Sequence, residues 1–449
     1  MSKKPTDGNS FVATMNRRKF VRNSAVAAAG GGLLISQLPA EGSAYVRGKE
    51  TIKVAVIGCG GRGTGAASQA MSVDQDVKLV AMCDAFRDRL DKCYDNLTQK
   101  HGDSGRIDVP EEHKFVGFEG YKDAIALADV VILTTPPGFR PIHFEEAVNA
   151  GKHVFMEKPV ATDAPGVRKV LEVAKKAKEK DLNVVVGLQR HYQPSYLALM
   201  ERIHNGDIGD IVSGQVYWNS SGVWVRPREE GQTEMEYQMR NWYYFTWLCG
   251  DHILEQHIHN IDVANWAKQS YPTMAQGMGG REVRTGPDHG EIFDHHFVEF
   301  HYGDGTMINS QCRHIEGCMN KVAESFVGTK GRATTDGKTE ITDLKGNTIW
   351  SHRGKNDRNP YQIEHDRLFE TIANGGELLA DAENGAKSTM TAILGRMATY
   401  SGKPVTWEDA LNSDMSLMPE TFAFDAKPPI VPNENGLYPV PTPGKTKVI

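Results

Sequence analysis

Val54-Ala-Val-Ile-Gly-Cys-Gly-Gly-Arg-Gly63, with Asp84 standing 21 residues after the last glycine, is the stretch whose reading decides the fold. Val54, Val56 and Ile57 read as a buried strand. Gly58, Gly60 and Gly63 then spell G-x-G-x-x-G, with Gly61 and Arg62 inside the turn. The first glycine permits the tight turn, the second lets a pyrophosphate approach the backbone, and the third lets a helix pack closely on the strand. Lys78-Leu-Val-Ala-Met-Cys-Asp84 reads as a second strand ending in a carboxylate. An acid there hydrogen-bonds the adenosine ribose, and its charge disfavours a 2′-phosphate. NAD is therefore favoured, while Arg62 and Arg87 lie close enough to leave NADP open. A glycine-rich turn without nucleotide is the plain alternative, and the order strand, turn, helix, strand, acid weighs against it.

The alternation continues outward from this unit. Asp129 to Pro137 reads as a buried strand ending in a proline turn, and Arg140 to Gly151 as a helix with a glycine stop. His153 to Pro159 is another strand. Asp163 begins a Lys/Glu-rich helix to about Lys180, and Asn183 to Leu188 is a strand again. Strands alternating with helices imply a doubly wound parallel sheet, whose ligands bind at the carboxyl ends of the strands. Thr135, Pro136, Glu157, Lys158 and Gln189 to His191 then point into one crevice.

Beyond residue 182 the pattern changes. Ile211–Ser220, Met274–Val283, His295–Tyr302, Thr306–His314 and Ala323–Gly328 read as strands, with hairpin turns at Gly303-Asp-Gly305 and Gly328-Thr-Lys-Gly331. This predicts an α+β domain with an open, mostly antiparallel sheet. Helices are expected over Tyr361 to Asn374 and Ala382 to Ser401. The expected divisions are 50–182 for a dinucleotide-binding Rossmann domain, 183–405 for a substrate domain, and 406–449 for an extended, proline-rich arm over the surface, placed at a subunit contact in a homo-oligomer.

Asn16-Arg17-Arg18-Lys19-Phe20, the Ala/Gly-rich stretch from Ala25 to Leu38 and the small residues up to Ala44 resemble a Tat export signal over 1–44, with Met15 an alternative start. The apolar stretch is too short and glycine-rich for a stable membrane span. Export through the Tat translocase to the periplasm carries folded proteins, which suits a cofactor loaded beforehand and held tightly. The formal charge of −6 argues against a nucleic-acid surface. The cysteines at 59, 83, 93, 249, 312 and 318 show no CxxC zinc spacing. Cys59 and Cys83 read as small buried apolar groups, and pairing of Cys312 with Cys318 is left open.

A second chemical segment, Cys249-Gly-Asp-His-Ile-Leu-Glu-Gln-His-Ile-His-Asn-Ile-Asp262, runs on to Trp266. Its apolar residues suit one helix, with Glu255, His259 and Asp262 on a common stripe. A carboxylate one turn from a histidine can orient it and raise its basicity. A polar stripe of interdomain hydrogen bonds is the structural alternative. A metal site of His252, Glu255 and His259 is the chemical alternative, and proton transfer is preferred to metal. Asn241, Trp242 and Tyr243 are candidates for stacking on and hydrogen-bonding a sugar, against an aromatic core cluster. Arg190, His191 and Asp262 are candidates for the same cleft.

The glycine motif, Asp84, Glu157-Lys158-Pro159 and the segment with an acid four residues before a histidine together resemble the Gfo/Idh/MocA oxidoreductases over roughly residues 50 to 405. The resemblance implies that Lys158 and His259 act on the hydroxyl being oxidised and that Glu255 helps bind it. The family usually carries aspartate at that position, so Glu255 departs from the pattern and lengthens the reach. The resemblance also implies a cis peptide before Pro159. Three functions are consistent with it: an NAD(P)-dependent oxidoreductase of a sugar or polyol, a redox-neutral NAD-dependent glycosidase, and a non-catalytic sugar- or cofactor-binding protein.

Overall fold

The computed structural model describes residues 50–449, so the export segment lies outside the described residues. The first half alternates as expected: β1 (Ile52–Ile57), α1 (Gly61–Ala70), β2 (Val77–Asp84), α2 (Arg87–His101), β3 (Lys114–Val116), α3 (Tyr121–Ala126), β4 (Val130–Leu133), α4 (Arg140–Asn149), β5 (His153–Met156), α5 (Ala164–Glu179) and β6 (Val184–Val186). The six strands are parallel in the order β3-β2-β1-β4-β5-β6. The order reverses between β1 and β4, which opens a crevice at their carboxyl ends. β4 and β6 are buried throughout because helices cover both faces. Local chemistry sets the ends of α5. The Asp163 side chain accepts from Gly166 N at 2.8 Å, and Val167, Val170, Val173, Ala174 and Ala177 form its buried stripe.

The second half follows with α6 (Pro194–His204), β7 (Ile211–Ser220), α7 (Glu234–Arg240), α8 (Thr246–Cys249), α9 (His252–Glu255), α10 (Ile258–Lys268), β8 (Met274–Gly280), β9 (His295–His301), β10 (Met307–His314), β11 (Lys321–Gly328), β12 (Gly331–Thr334), β13 (Glu340–Asp343), β14 (Thr348–Ser351), α11 (Pro360–Asn374), α12 (Ala382–Ser401), β15 (Val405–Thr406) and α13 (Trp407–Asn412). Nine strands form one sheet, β14-β13-β12-β11-β7-β10-β9-β8-β15, antiparallel except where β7 meets β10. The five expected strands are present, and the four short ones at the edges carried too little pattern to be read. On β9 and β10 burial alternates strictly, so one face is covered and the other is not. α12 is buried on nearly every side because it packs on β8, β9, α5 and α10 at once.

Two expectations change. The segment from Cys249, where α8 ends, holds two helices, α9 and α10, rather than one. Gly250 (φ +76°) and Asp251 (φ +78°) break the first turn, and the Asp251 side chain caps α9. His257 N then bonds back to His252 O, five residues earlier, before α10 begins. The carboxy-terminal arm is also more than a surface strap. Leu417 N bonds to Asp163 Oδ2 at 2.8 Å, the Gln238 side chain bonds to Ile430 O at 2.8 Å, and Phe424 packs on Phe86 and Phe118. It joins both halves of the chain.

Candidate active site

A cleft of about 560 Å³ runs from the carboxyl ends of β1, β2 and β4 to α9 and α10. At one end lies the glycine turn. A Cβ on Gly58 (φ +98°) would stand 2.6 Å from Thr135 N, and one on Gly63 would stand 1.9 Å from Gly58 O. Gly60 and Gly61 face open space, with nothing within 4 Å of an added Cβ. Strand and helix are thus pressed together while the middle of the turn stays bare, a cradle that suits a pyrophosphate. Asp84 accepts from Cys59 N (2.7 Å) and Phe86 N (2.9 Å), which fixes its carboxylate on the cleft wall. Burial raises its pKa, and the two amides oppose that shift. These residues fit an adenine dinucleotide.

Both arginines that left NADP open are paired with carboxylates, and Arg62 lines the cleft as expected. Arg62 bonds to Glu157 at 2.5 Å, reaches Glu364 at 3.4 Å and lies over the Tyr361 ring. Arg87 pairs with Asp91 and Glu111. Thr135, Pro136 and Glu157 line the cleft as expected. The Lys158–Pro159 peptide is cis.

At the other end Lys158, Glu255 and His259 line the same wall. Lys158 leaves the end of β5 and donates to Glu255 O at 2.5 Å, with Glu255 Oε1 at 3.4 Å. Burial pushes the Glu255 carboxyl up to about 7, against the pull of Lys158. The other carboxylate oxygen, Oε2, is buried and has no hydrogen-bond partner among the described residues. His259, second residue of α10, stacks on Trp218 with centroids 5.8 Å apart. Burial, then Lys158 and Arg190, hold it well below the usual histidine range, so the imidazole is neutral. A buried carboxyl near 7 and a neutral imidazole beside an ammonium can exchange a proton with a hydroxyl.

Several expected residues are placed otherwise. Trp242 and Tyr243 line the cleft, but Asn241 is fully buried, bonded to Arg226 N and Asp288 O. Asp262 turns inward, accepting from Asn384 and Ser388 and pairing with His191 at 2.7 Å; His191 itself stacks on Trp266. Neither reaches the cleft, because α10 shows its His259 face to the cavity and its Asp262 face to α12. Arg190 does line the cleft, yet its guanidinium is tied to the buried Glu324 at 2.5 Å. His252 is not grouped with Glu255 and His259. It bonds to Asp251 Oδ1 at 2.7 Å, and the cluster spaced for a metal among the described residues is Asp251, His252 and His296. Asp251 is already occupied by Tyr400 OH (2.6 Å) and Phe293 N (3.0 Å), which makes this a hydrogen-bonded core. All six cysteines are free thiols, Cys312 buried and Cys318 exposed, so that pair is not joined.

Gln189 lines the cleft as its place after a strand end implied, whereas Trp218, Trp224 and Arg140 also line it and carried no sequence signal that separated them from core residues. The alternation that marks β7 as a strand says nothing of what Trp218 faces.

The sequence model of an oxidoreductase family with an NAD-binding Rossmann fold matches residues 52–188, and that of the same family's C-terminal α/β domain matches residues 200–407. The inositol 2-dehydrogenase of Klebsiella pneumoniae is 28% identical over 263 residues, 58% of this chain and 66% of that protein. A glycosyl hydrolase family 109 protein of Shewanella pealeana is 24% identical over 237 residues, 49% of each. The chain spans about half the length of the curated relatives it matches. The scyllo-inositol dehydrogenase of Lactobacillus casei superposes with a TM-score of 0.60 at 21% identity, over 80% of this chain and 99% of that one. The aldose-aldose oxidoreductase of Caulobacter crescentus gives 0.62 at 18%, over 80% and 100%. At such identities the superpositions establish the fold.

Proposed function

The chain belongs to the Gfo/Idh/MocA oxidoreductase family, and from that premise we propose that it transforms a hydroxyl-bearing carbon of a sugar or polyol, with NAD held in the cleft. The observation that carries this reading is one cavity joining the glycine turn and Asp84 to Lys158, Glu255 and His259. Gly58, Gly60, Gly61 and Asp84 would hold the dinucleotide, and the nicotinamide, when bound, supplies a hydride acceptor or donor. The protein's own part is proton handling. His259, held neutral, takes the hydroxyl proton, and Lys158, anchored on the Glu255 main-chain carbonyl and reaching its carboxylate at 3.4 Å, steadies the oxygen. Glu255, near 7, passes the proton on. Trp218, Trp242 and Tyr243 supply ring faces for an apolar sugar face.

The similarity to a glycosyl hydrolase family 109 protein favours a second reading, in which the same groups serve oxidation, elimination, hydration and reduction without net change of the cofactor. Product analysis over a panel of polyols, aldoses and aryl glycosides separates the two. A keto product with reduced cofactor supports the first, and a released aglycone with unchanged cofactor the second. No product from any substrate would sink both. Export with a firmly held cofactor belongs to this proposal and rests on Arg17-Arg18. Replacing both by lysine should leave the precursor in the cytoplasm, and continued processing of the double variant would refute it.

A further inference from the structure

A buried arginine without an acid is costly, since a charge leaves water with nothing to balance it. Among the described residues Arg140 (1% exposed) and Arg396 (5% exposed) are buried with no carboxylate within 4 Å. Arg396 ends on two main-chain carbonyls, Gly250 O at 3.0 Å and Thr162 O at 2.8 Å, which explains it as a structural tie. Arg140 is different. One nitrogen donates to Thr135 O at 2.7 Å, another only reaches Thr135 Oγ1 at 3.5 Å, and Nε is buried with no partner. It lines the cleft, and Arg396 does not. As the first residue of α4 it also opposes the helix dipole, so the helix gains nothing from its charge.

Its position gives the missing partner. Thr135, to which it is bonded, touches the glycine turn: Thr135 N is 2.6 Å from where a Gly58 Cβ would lie, and Thr134 Oγ1 donates to Gly58 O at 2.6 Å. Thr135 thus links the guanidinium to the packed first glycine of the turn, two residues before the bare Gly60 and Gly61 that phosphates approach. We propose that Arg140 is an anion-holding residue of the cofactor site, donating from Nε and a terminal nitrogen to an oxygen of the dinucleotide pyrophosphate and so retaining the cofactor. Burial lowers the guanidinium to about 10, while Glu157 and Glu255 at longer range support the charged form, so it remains a cation at neutral pH. This rests on the dinucleotide reading above.

The test is equilibrium binding followed by nicotinamide fluorescence for NADH and by calorimetry for ADP-ribose, in the wild type, Arg140→Lys and Arg140→Met. Arg140→Met should weaken both ligands at least about tenfold, the weight of a charge-assisted hydrogen bond. Arg140→Lys should recover part of that loss, and added salt should weaken the wild type more than Arg140→Met. Equal affinity in all three proteins overturns the proposal. So does a loss confined to NADH, which would put the guanidinium at the nicotinamide rather than the phosphates. If the wild type binds neither ligand, the dinucleotide reading fails, and this one with it. Thermal melting of Arg140→Lys and Arg140→Met controls for folding, because lost affinity at an unchanged melting temperature cannot be assigned to structure.

Discussion

The two ends of the cleft are built by different means. The glycine end is made of backbone: a turn whose side chains are missing where something must approach, and a carboxylate fixed by two main-chain amides. The far end is made of titratable side chains taken out of water, where burial raises Glu255 and lowers His259, and the charge of Lys158 acts downward on both. Backbone geometry is dictated locally and tolerates little change in shape. Side-chain chemistry depends on burial and neighbours and tolerates little change in charge. Substitutions at the first end should therefore act on affinity and stability, and at the second on turnover and its pH dependence.

The largest effect tests that division most directly. Lys158→Met and His259→Ala should each reduce turnover by about 100- to 10,000-fold, the usual share of a general acid or base, while NADH binding stays within about threefold. Losses below tenfold, or a parallel loss of NADH, would merge the two ends into one. Glu255→Gln should cost less, about tenfold, and change a profile. In the oxidative direction its carboxylate form is the useful one. Because its pKa is raised to about 7, kcat/KM should climb as pH rises through 7 in the wild type and lose that limb in the variant. An unchanged limb would assign the titration to another group.

At the glycine end, Gly63→Ala and Gly60→Ala separate shape from approach. The added methyl at Gly63 meets Gly58 O, so the melting temperature should fall by several degrees, in line with about 1–3 kcal/mol of overpacking. Gly60→Ala meets nothing and should leave melting alone while weakening NADH. Equal melting of the two variants would contradict the packing assigned here. Asp84→Ser should narrow the preference for NADH over NADPH by about tenfold, read from the ratio of dissociation constants. The smallest effect on function belongs to Asn241→Ala. Its lost bonds to Arg226 N and Asp288 O should lower stability by about 1–3 kcal/mol and leave KM for whichever substrate the product analysis identifies within about twofold. A large rise in KM would return Asn241 to the substrate site.

Legibility in the sequence followed the same division. β1, the glycine turn and the Asp84 strand end were readable because period, glycine placement and spacing are local properties of the chain. α5 was readable to within a residue because Asp163 caps it and Pro165 starts it. The break between α8 and α9 was not, since Asp251 takes φ +78° only in a setting where its carboxylate meets Phe293 N, Tyr400 and His252. Helical spacing put Glu255, His259 and Asp262 on one stripe; Glu255 and His259 share the cleft wall across the break between α9 and α10, whereas Asp262, further along α10, is taken up by His191, Asn384 and Ser388.

By itself the sequence determined the doubly wound parallel sheet, the antiparallel character of the second domain, the crevice and the wall residues Asp84, Lys158, Glu255 and His259. Each follows from neighbours along the chain, or from a motif whose spacing is fixed by the backbone. Only the tertiary structure decided which polar residues face the cavity. It turned Asp262, His191 and Asn241 away, tied Arg190 to Glu324, raised Glu255 to about 7, and left Arg140 buried with an idle donor. Those outcomes depend on how far a charge is taken from water and on what distant segments bring beside it, and neither quantity is written in local sequence.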